Sequence, residues 1–263
     1  MKWCRFQTNS KAVYGIVEGD QIIEVQGTPL GRYRRTSRKH ALGSVKLLPP
    51  VVPPTLYASG VANYRAHVEW ANAFFNRAPT PLPTRADIGY RAVSALLPHG
   101  EAIIIPKDAS DAIHYENELV VVIGRTAKHL SRDAALSCVL GYTIGNDMSE
   151  RTWQSMDRTF WRSKNTDTFK PMGPWIETDF DLNKAMSITR INGKEASRFV
   201  TGNFLFDIPY YISEITKYVT LHPGDVIWMG TDGATLPALK DGDVVECEIT
   251  GIGVLRNPVK REK

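Results

Sequence analysis

At 263 residues, 43% of them hydrophobic, the chain is long enough to bury a core without staples, and its formal charge of +4 is mild for that size. The basic excess sits in the segment Arg32 to Lys39 and in the tail Lys260-Arg261-Glu262-Lys263, which is not the extended basic face that binds a phosphate backbone. Three cysteines, Cys4, Cys138 and Cys247, never in a CxxC pair, exclude a disulfide framework or a zinc knuckle, and no stretch approaches the length of a membrane span. The expectation is a soluble, unprocessed, cytoplasmic protein with no nucleic-acid and no membrane partner.

In chain order, Ala12 to Val17, a Glu18-Gly19-Asp20 turn and Gln21 to Val25 predict a β-hairpin within a small β-rich unit over 1–50. Arg32 to Lys39 reads as a solvated loop. The proline-rich stretch Leu48 to Pro54 reads as a stiff linker and marks the boundary with a second unit over 51–263. There, Leu56 to Gly60 predicts a strand and Asn63 to Phe75 a helix, ended by Pro79 to Pro83. Helices are also expected over Ser131 to Val139 and Asp147 to Gln154, and a loop over Pro171 to Pro174. The last fifty residues predict strands separated by Pro223-Gly224-Asp225, Thr231-Asp232-Gly233 and Asp241-Gly242-Asp243. The fold class expected is α+β, mainly β.

The segment His114 to Gly124 turns almost wholly apolar in its second half, so it predicts a strand running into the core. Residues two apart on a strand share a face, so Glu116 and Glu118 point the same way at its entrance. Two carboxylates held that close resist ionisation unless a cation neutralises them; the competing reading is an exposed strand end with solvated glutamates. A second strand, Val139 to Gly145, runs straight into Asp147. Asp147 and Glu150 have capping-box spacing, so Asp147 could simply cap a helix, but Asp147, Arg151 and Gln154 also fall at i, i+4, i+7 on one helical face. Three carboxylates without clustered Cys or His form a hard, all-oxygen donor set that suits Mg²⁺ first, with Mn²⁺ or Ca²⁺ as alternatives. Such a site keeps net negative charge around a dication, and Arg151 and Lys164 are the cations available to offset it for an anionic substrate.

These residues stand in an order and spacing that resembles the fumarylacetoacetate hydrolase family over nearly the whole chain. The elements are Asn63-Tyr64-x-x-His67, Tyr115-Glu116-x-Glu118-Leu119, Gly141-Tyr142 followed by Asp147-x-x-x-Arg151-x-x-Gln154, Lys164-x-x-Asp167 with Pro171-x-Gly173-Pro174, Asn192-Gly193, Pro223-Gly224-Asp225-Val226-Ile227 and Gly230-Thr231. The resemblance implies a mixed β-roll catalytic domain behind a small β-rich N-terminal domain, Mg²⁺ dependence and a homodimer. It also implies metal ligands at Glu116, Glu118 and Asp147, substrate-binding roles for Arg151, Gln154 and Thr231, and catalytic roles for His67 and Lys164.

The sequence departs from the family pattern in places. Members that cleave carbon–carbon bonds carry a Glu three residues after the His of a lid helix, and here that position is Trp70; Glu69, two residues after His67, faces elsewhere on a helix. Gly89-Tyr90-Arg91 replaces a Phe-x-Lys element, and Ser197 replaces a Gln. The last two departures are expected to alter the pocket rather than the metal site. The resemblance therefore implies a Mg²⁺-dependent hydrolase cleaving an acylpyruvate or β-diketone oxo-acid. A 2-oxo acid decarboxylase or isomerase/hydratase, and a non-catalytic oxo-acid binder, are the rival expectations.

Overall fold

A computed structural model describes residues 1–60 and 62–263. Its N-terminal part comprises β1 (Lys2–Thr8), β2 (Lys11–Glu18), β3 (Gln21–Gly27), β4 (Tyr33–Ala41) and β5 (Lys46–Leu48). There follow β6 (Leu56–Ser59), α1 (Arg65–Phe74), β7 (Ile88–Tyr90), β8 (Leu96–Leu97), β9 (Ile103–Ile105), β10 (Ile113–His114), β11 (Asn117–Ile123), β12 (Val139–Asn146), β13 (Ser149–Glu150) and α2 (Arg151–Gln154). The chain closes with β14 (Lys170–Glu177), β15 (Met186–Ile191), β16 (Lys194–Val200), α3 (Ile208–Tyr218), β17 (Val226–Trp228), β18 (Val244–Ile249) and β19 (Gly253–Arg261).

The principal sheet runs β4-β3-β2-β1-β14-β12-β11-β17-β6-β7, with β5 added beside β1 and β8 beside β14. A second sheet runs β16-β15-β18-β19-β9. β11 shows why the two stack. Leu119, Val121 and Ile123 enter one apolar cluster together with Ile249 and Leu255 of the second sheet and Ile212 and Ile215 of α3, while Val120 and Val122 enter another with Trp3, Met172 and Trp228. Both faces of the strand are covered, as its unbroken apolar run requires. The N-terminal strands extend this same sheet, because Lys2 and Trp3 of β1 pair with Glu177 and Ile176 of β14.

The structure corrects several expectations. Arg32 to Lys39 falls largely in β4, an edge strand paired with β3, not in a loop. Its charged side chains reach solvent while its backbone pairs on one side, and charge on an edge also deters further strands from joining. Within Ser131 to Val139 only Ala135–Cys138 coils, as a single 3₁₀ turn, before β12 begins. Pro171 to Pro174 lies inside β14: the β12–β14 register shifts between Tyr142 and Ile144, opposite the stretch holding Pro174, so the ladder breaks where its missing N–H would have left a gap, while Pro171 pairs with Leu97 of β8. The linker Leu48 to Pro54 is not free, since Pro50, Val51 and Pro53 are buried.

Candidate metal centre

Three strand ends converge on the carboxylates. Glu118 is the second residue of β11 and lies opposite Gly145 of β12. A side chain at Gly145 would meet the Trp228 ring at 2.5 Å, so glycine is what lets β12 and β17 close around this point. Glu116 occupies the break between β10 and β11; its N–H donates to Asn146 Oδ1 (2.9 Å) and its carbonyl accepts from the Asp147 N–H (2.9 Å). Asp147 is therefore stitched to Glu116 by the backbone. It does not cap a helix: β13 intervenes, and Glu150 caps α2 by accepting from the Trp153 N–H. The helix expected over Asp147 to Gln154 shrinks to one turn, with Arg151 at its start and Gln154 at its end.

Oxygen atoms of Glu116, Glu118 and Asp147 all lie within 4.8 Å of one another, and each residue is at most 4% exposed. Three oxygens so placed fit around one divalent cation at the usual distances of roughly 2.0–2.6 Å. Glu118 makes the fit more pointed. Burial, then the neighbouring Asp147 and Glu116, push its carboxyl up to about 8, against the opposing pull of the Lys164 charge and of the Gly230 N–H that donates to its Oε2 (2.8 Å). Gly230 can turn that N–H inward because its φ is +85°.

The other two carboxylates have cationic partners. Burial opposes ionisation of Glu116, but Lys164 Nζ (2.5 Å) and Arg151 Nη2 (2.6 Å) outweigh it and lower its pKa. Asp147 is also buried, yet Lys164 (2.9 Å), Lys170 (2.6 Å) and Arg91 (3.3 Å) hold it well below the usual carboxylate range. Arg91 and Lys170 were not among the expected site residues. Arg91 changes the metal site itself, not the pocket alone, because its guanidinium lies against Asp147. Lys170 escaped notice because it precedes Pro171 in what reads as a loop. With them, four buried cations surround three carboxylates, so the pocket does not stay negative once a dication is added.

Lys164 owes its position to Asp157, which accepts from the N–H groups of Trp161 (3.1 Å), Arg162 (2.9 Å) and Ser163 (2.9 Å) and from Ser163 Oγ (2.9 Å). Arg151 is held at each of its three nitrogens: Nη1 donates to Gln154 Oε1 (2.8 Å), Nη2 to Glu116, and Nε to His114 Nδ1 (3.3 Å). A His114 nitrogen that accepts is unprotonated, and burial followed by Arg151 pushes that imidazole down to about 4.

Above the carboxylates is a cavity of about 280 Å³ whose lining includes Glu116, Glu118, His67, Arg151, Gln154, Lys164 and Thr231. Seven of the eight expected site residues thus face one space, and Asp147 stands behind it. α1 roofs the cavity. Burial lowers His67 to about 4, so the imidazole is neutral at physiological pH. No carboxylate hydrogen-bonds its buried Nδ1, and Glu69 points to solvent.

A mixed β-roll with a buried three-carboxylate cluster under a helical roof is the arrangement this chain shares with a known family of enzymes. Residues 56–260 match the family described as fumarylacetoacetate (FAA) hydrolase C-terminal, and residues 1–50 match Rv2993c-like, N-terminal. The chain belongs to the fumarylacetoacetate hydrolase family. It is 32% identical to the 2,4-didehydro-3-deoxy-L-rhamnonate hydrolase of a Sphingomonas species, over 98% of this chain and 96% of that one. Among solved structures it superposes on a 5-carboxymethyl-2-hydroxymuconate delta-isomerase from Mycobacterium smegmatis, with a TM-score of 0.88, 35% identity and complete coverage of both chains. A 2-hydroxyhepta-2,4-diene-1,7-dioate isomerase from Mycobacterium marinum gives 0.87 and 32%, covering 100% of this chain and 99% of that chain. Among the described residues no helix is long and apolar enough to cross a membrane.

Proposed function

We propose that this protein is a Mg²⁺-dependent hydrolase that cleaves a carbon–carbon bond in an acylpyruvate or β-diketone oxo-acid. The observation that carries the reading is the buried triad of Glu116, Glu118 and Asp147 at the base of a cavity lined by His67, Arg151, Gln154 and Lys164. Those carboxylates would hold the cation, which when bound supplies a Lewis acid for the oxygens of a 2-oxo acid. Arg151, Gln154 and Thr231 bind and orient the substrate carboxylate. Lys164, held by Asp157, places a proton and a positive charge where an enolate develops. Neutral His67 takes a proton from the attacking water.

A second reading, a 2-oxo acid decarboxylase or isomerase, is favoured by one observation: Trp70 stands one helical turn from His67 and no carboxylate orients that imidazole. Both solved relatives named above are isomerases, and the Sphingomonas relative is a hydrolase. The test is incubation with Mg²⁺ and acetylpyruvate, fumarylpyruvate or oxaloacetate, before and after chelation. Hydrolysis predicts two acid products in the presence of Mg²⁺ alone. Release of CO₂ without those acids would transfer the assignment to the second reading, and turnover undiminished by exhaustive chelation would sink both.

A further inference from the structure

α1 covers the cavity, yet of its ten residues only Val68 is buried, so an apolar face packed into the core does not hold this helix in place. Beside the Gly233 backbone packed on His67 and Trp70, its contact with the cavity floor is aromatic. The Trp70 ring lies over the Arg151 guanidinium, with Cζ 4.9 Å from the ring centroid. It is stacked on Phe74 one turn later, at 4.9 Å and an interplanar angle of 19°, and is tilted against His114 at 5.9 Å. Phe74 in turn meets His114 edge-on at 5.3 Å. The roof therefore rests on the same Arg151–His114 pair whose remaining edges are committed to Glu116, Gln154 and the cavity.

A guanidinium has two faces and a fixed fork of donors in its plane. Glu116, Gln154 and His114 occupy donors in the plane of Arg151, and Trp70 covers a face. The N–H groups not engaged by those three partners are left for a ligand. An indole on the face also keeps water off the charge, which strengthens any carboxylate bond made at its edge. We propose that Trp70 is a positioning residue: by stacking on Arg151 it fixes the plane of the guanidinium for carboxylate binding and, through the same contact, latches α1 over the cavity. The carboxylate-binding half of this inference rests on the oxo-acid reading above; the latch half does not.

The test uses the whole chain with tryptophan replaced by alanine (Trp70→Ala) or by phenylalanine (Trp70→Phe). Amide hydrogen exchange over 65–74 is measured without ligand, and Mn²⁺ and then oxalate are titrated by calorimetry. Trp70→Ala is expected to leave Mn²⁺ affinity unchanged, to weaken oxalate about 3- to 30-fold, the span of an exposed to a desolvated cation–π contact, and to speed exchange across α1. Trp70→Phe, which keeps a ring over the charge, is expected to restore most of both. Unchanged exchange in Trp70→Ala would refute the latch, and unchanged oxalate affinity would refute the positioning role. If the parent chain binds neither Mn²⁺ nor oxalate, the oxo-acid reading fails, and the exchange comparison still decides the latch.

Discussion

Asp147 carries more of the site than its place as one candidate ligand suggests. Its two oxygens are shared among Lys164, Lys170 and Arg91, all buried, so removing its charge leaves cations in the interior with no partner. Asp147→Asn is expected to weaken Mn²⁺ binding by at least about 100-fold and to cost roughly 3–5 kcal/mol of stability, the usual penalty for breaking a buried ion pair on one side. Calorimetric Mn²⁺ titration and urea unfolding read the two effects separately. Glu118 is expected to set the pH dependence of cation binding at the triad. Its carboxyl, raised to about 8 by burial and by Asp147 and Glu116, is protonated at neutral pH in the metal-free chain, and only the ionised form is a good ligand. Below about pH 8 a proton must leave for each cation bound, so apparent affinity is expected to rise about tenfold per pH unit from pH 6 and to level off above pH 8. Mn²⁺ isotherms across that range, in buffers of different ionisation enthalpy, check both the slope and the proton count.

At the scale of elements, what could be read in advance followed from side-chain pattern. The β2–β3 hairpin, the apolar run of β11 and the helix expected over Asn63 to Phe75, as α1, all appear in the structure. The errors came where the backbone's own pairing overrode composition. β14 accommodates Pro174 through a shift in its register with β12 and Pro171 beside β8, and no residue of β14 itself announces either. β4 is a strand because β3 offers it a partner, a fact its run of arginines cannot show. At the site, Glu116 and Glu118 were legible because their spacing is local, and Asp147 because it stands in a spaced motif with Arg151 and Gln154, whereas no local pattern links Arg91 or Lys170 to Asp147. Asp157 is invisible for the same kind of reason, since its work is to gather the N–H groups of a loop. Asp157→Ala is expected to release that loop, lower turnover about tenfold or more through misplacement of Lys164, and cost about 1–3 kcal/mol in stability. Limited proteolysis between 155 and 165 and steady-state kinetics are the checks.

On the scale of the molecule, residues 1–50 are hydrogen-bonded into the same principal sheet as the residues that form the site. β1 covers the edge of β14, and Trp3, Ile16 and Val25 share an apolar cluster with Val120, Val122 and Trp228. A chain beginning at residue 51 would bare that strand edge together with apolar surface, and an uncovered edge invites pairing between copies. It is expected to unfold at markedly lower denaturant concentration than the full chain and to associate with rising concentration. Urea titration and light scattering would show both, and a monomeric fragment of parental stability would contradict this account.

The close approach of Trp228 to Gly145 bears on how such a protein changes over time. Any side chain at 145 collides with the indole, so the strand ends that aim Glu116, Glu118 and Asp147 are locked in register. The cavity's outer wall is built from different material: α1 and the loop around Phe160, which the sheet does not constrain in this way. The reactive floor and the choice of substrate are therefore separately heritable. Exchanging residues 62–80 with a relative's should carry over that relative's preference among oxo-acids while leaving cation affinity where it was.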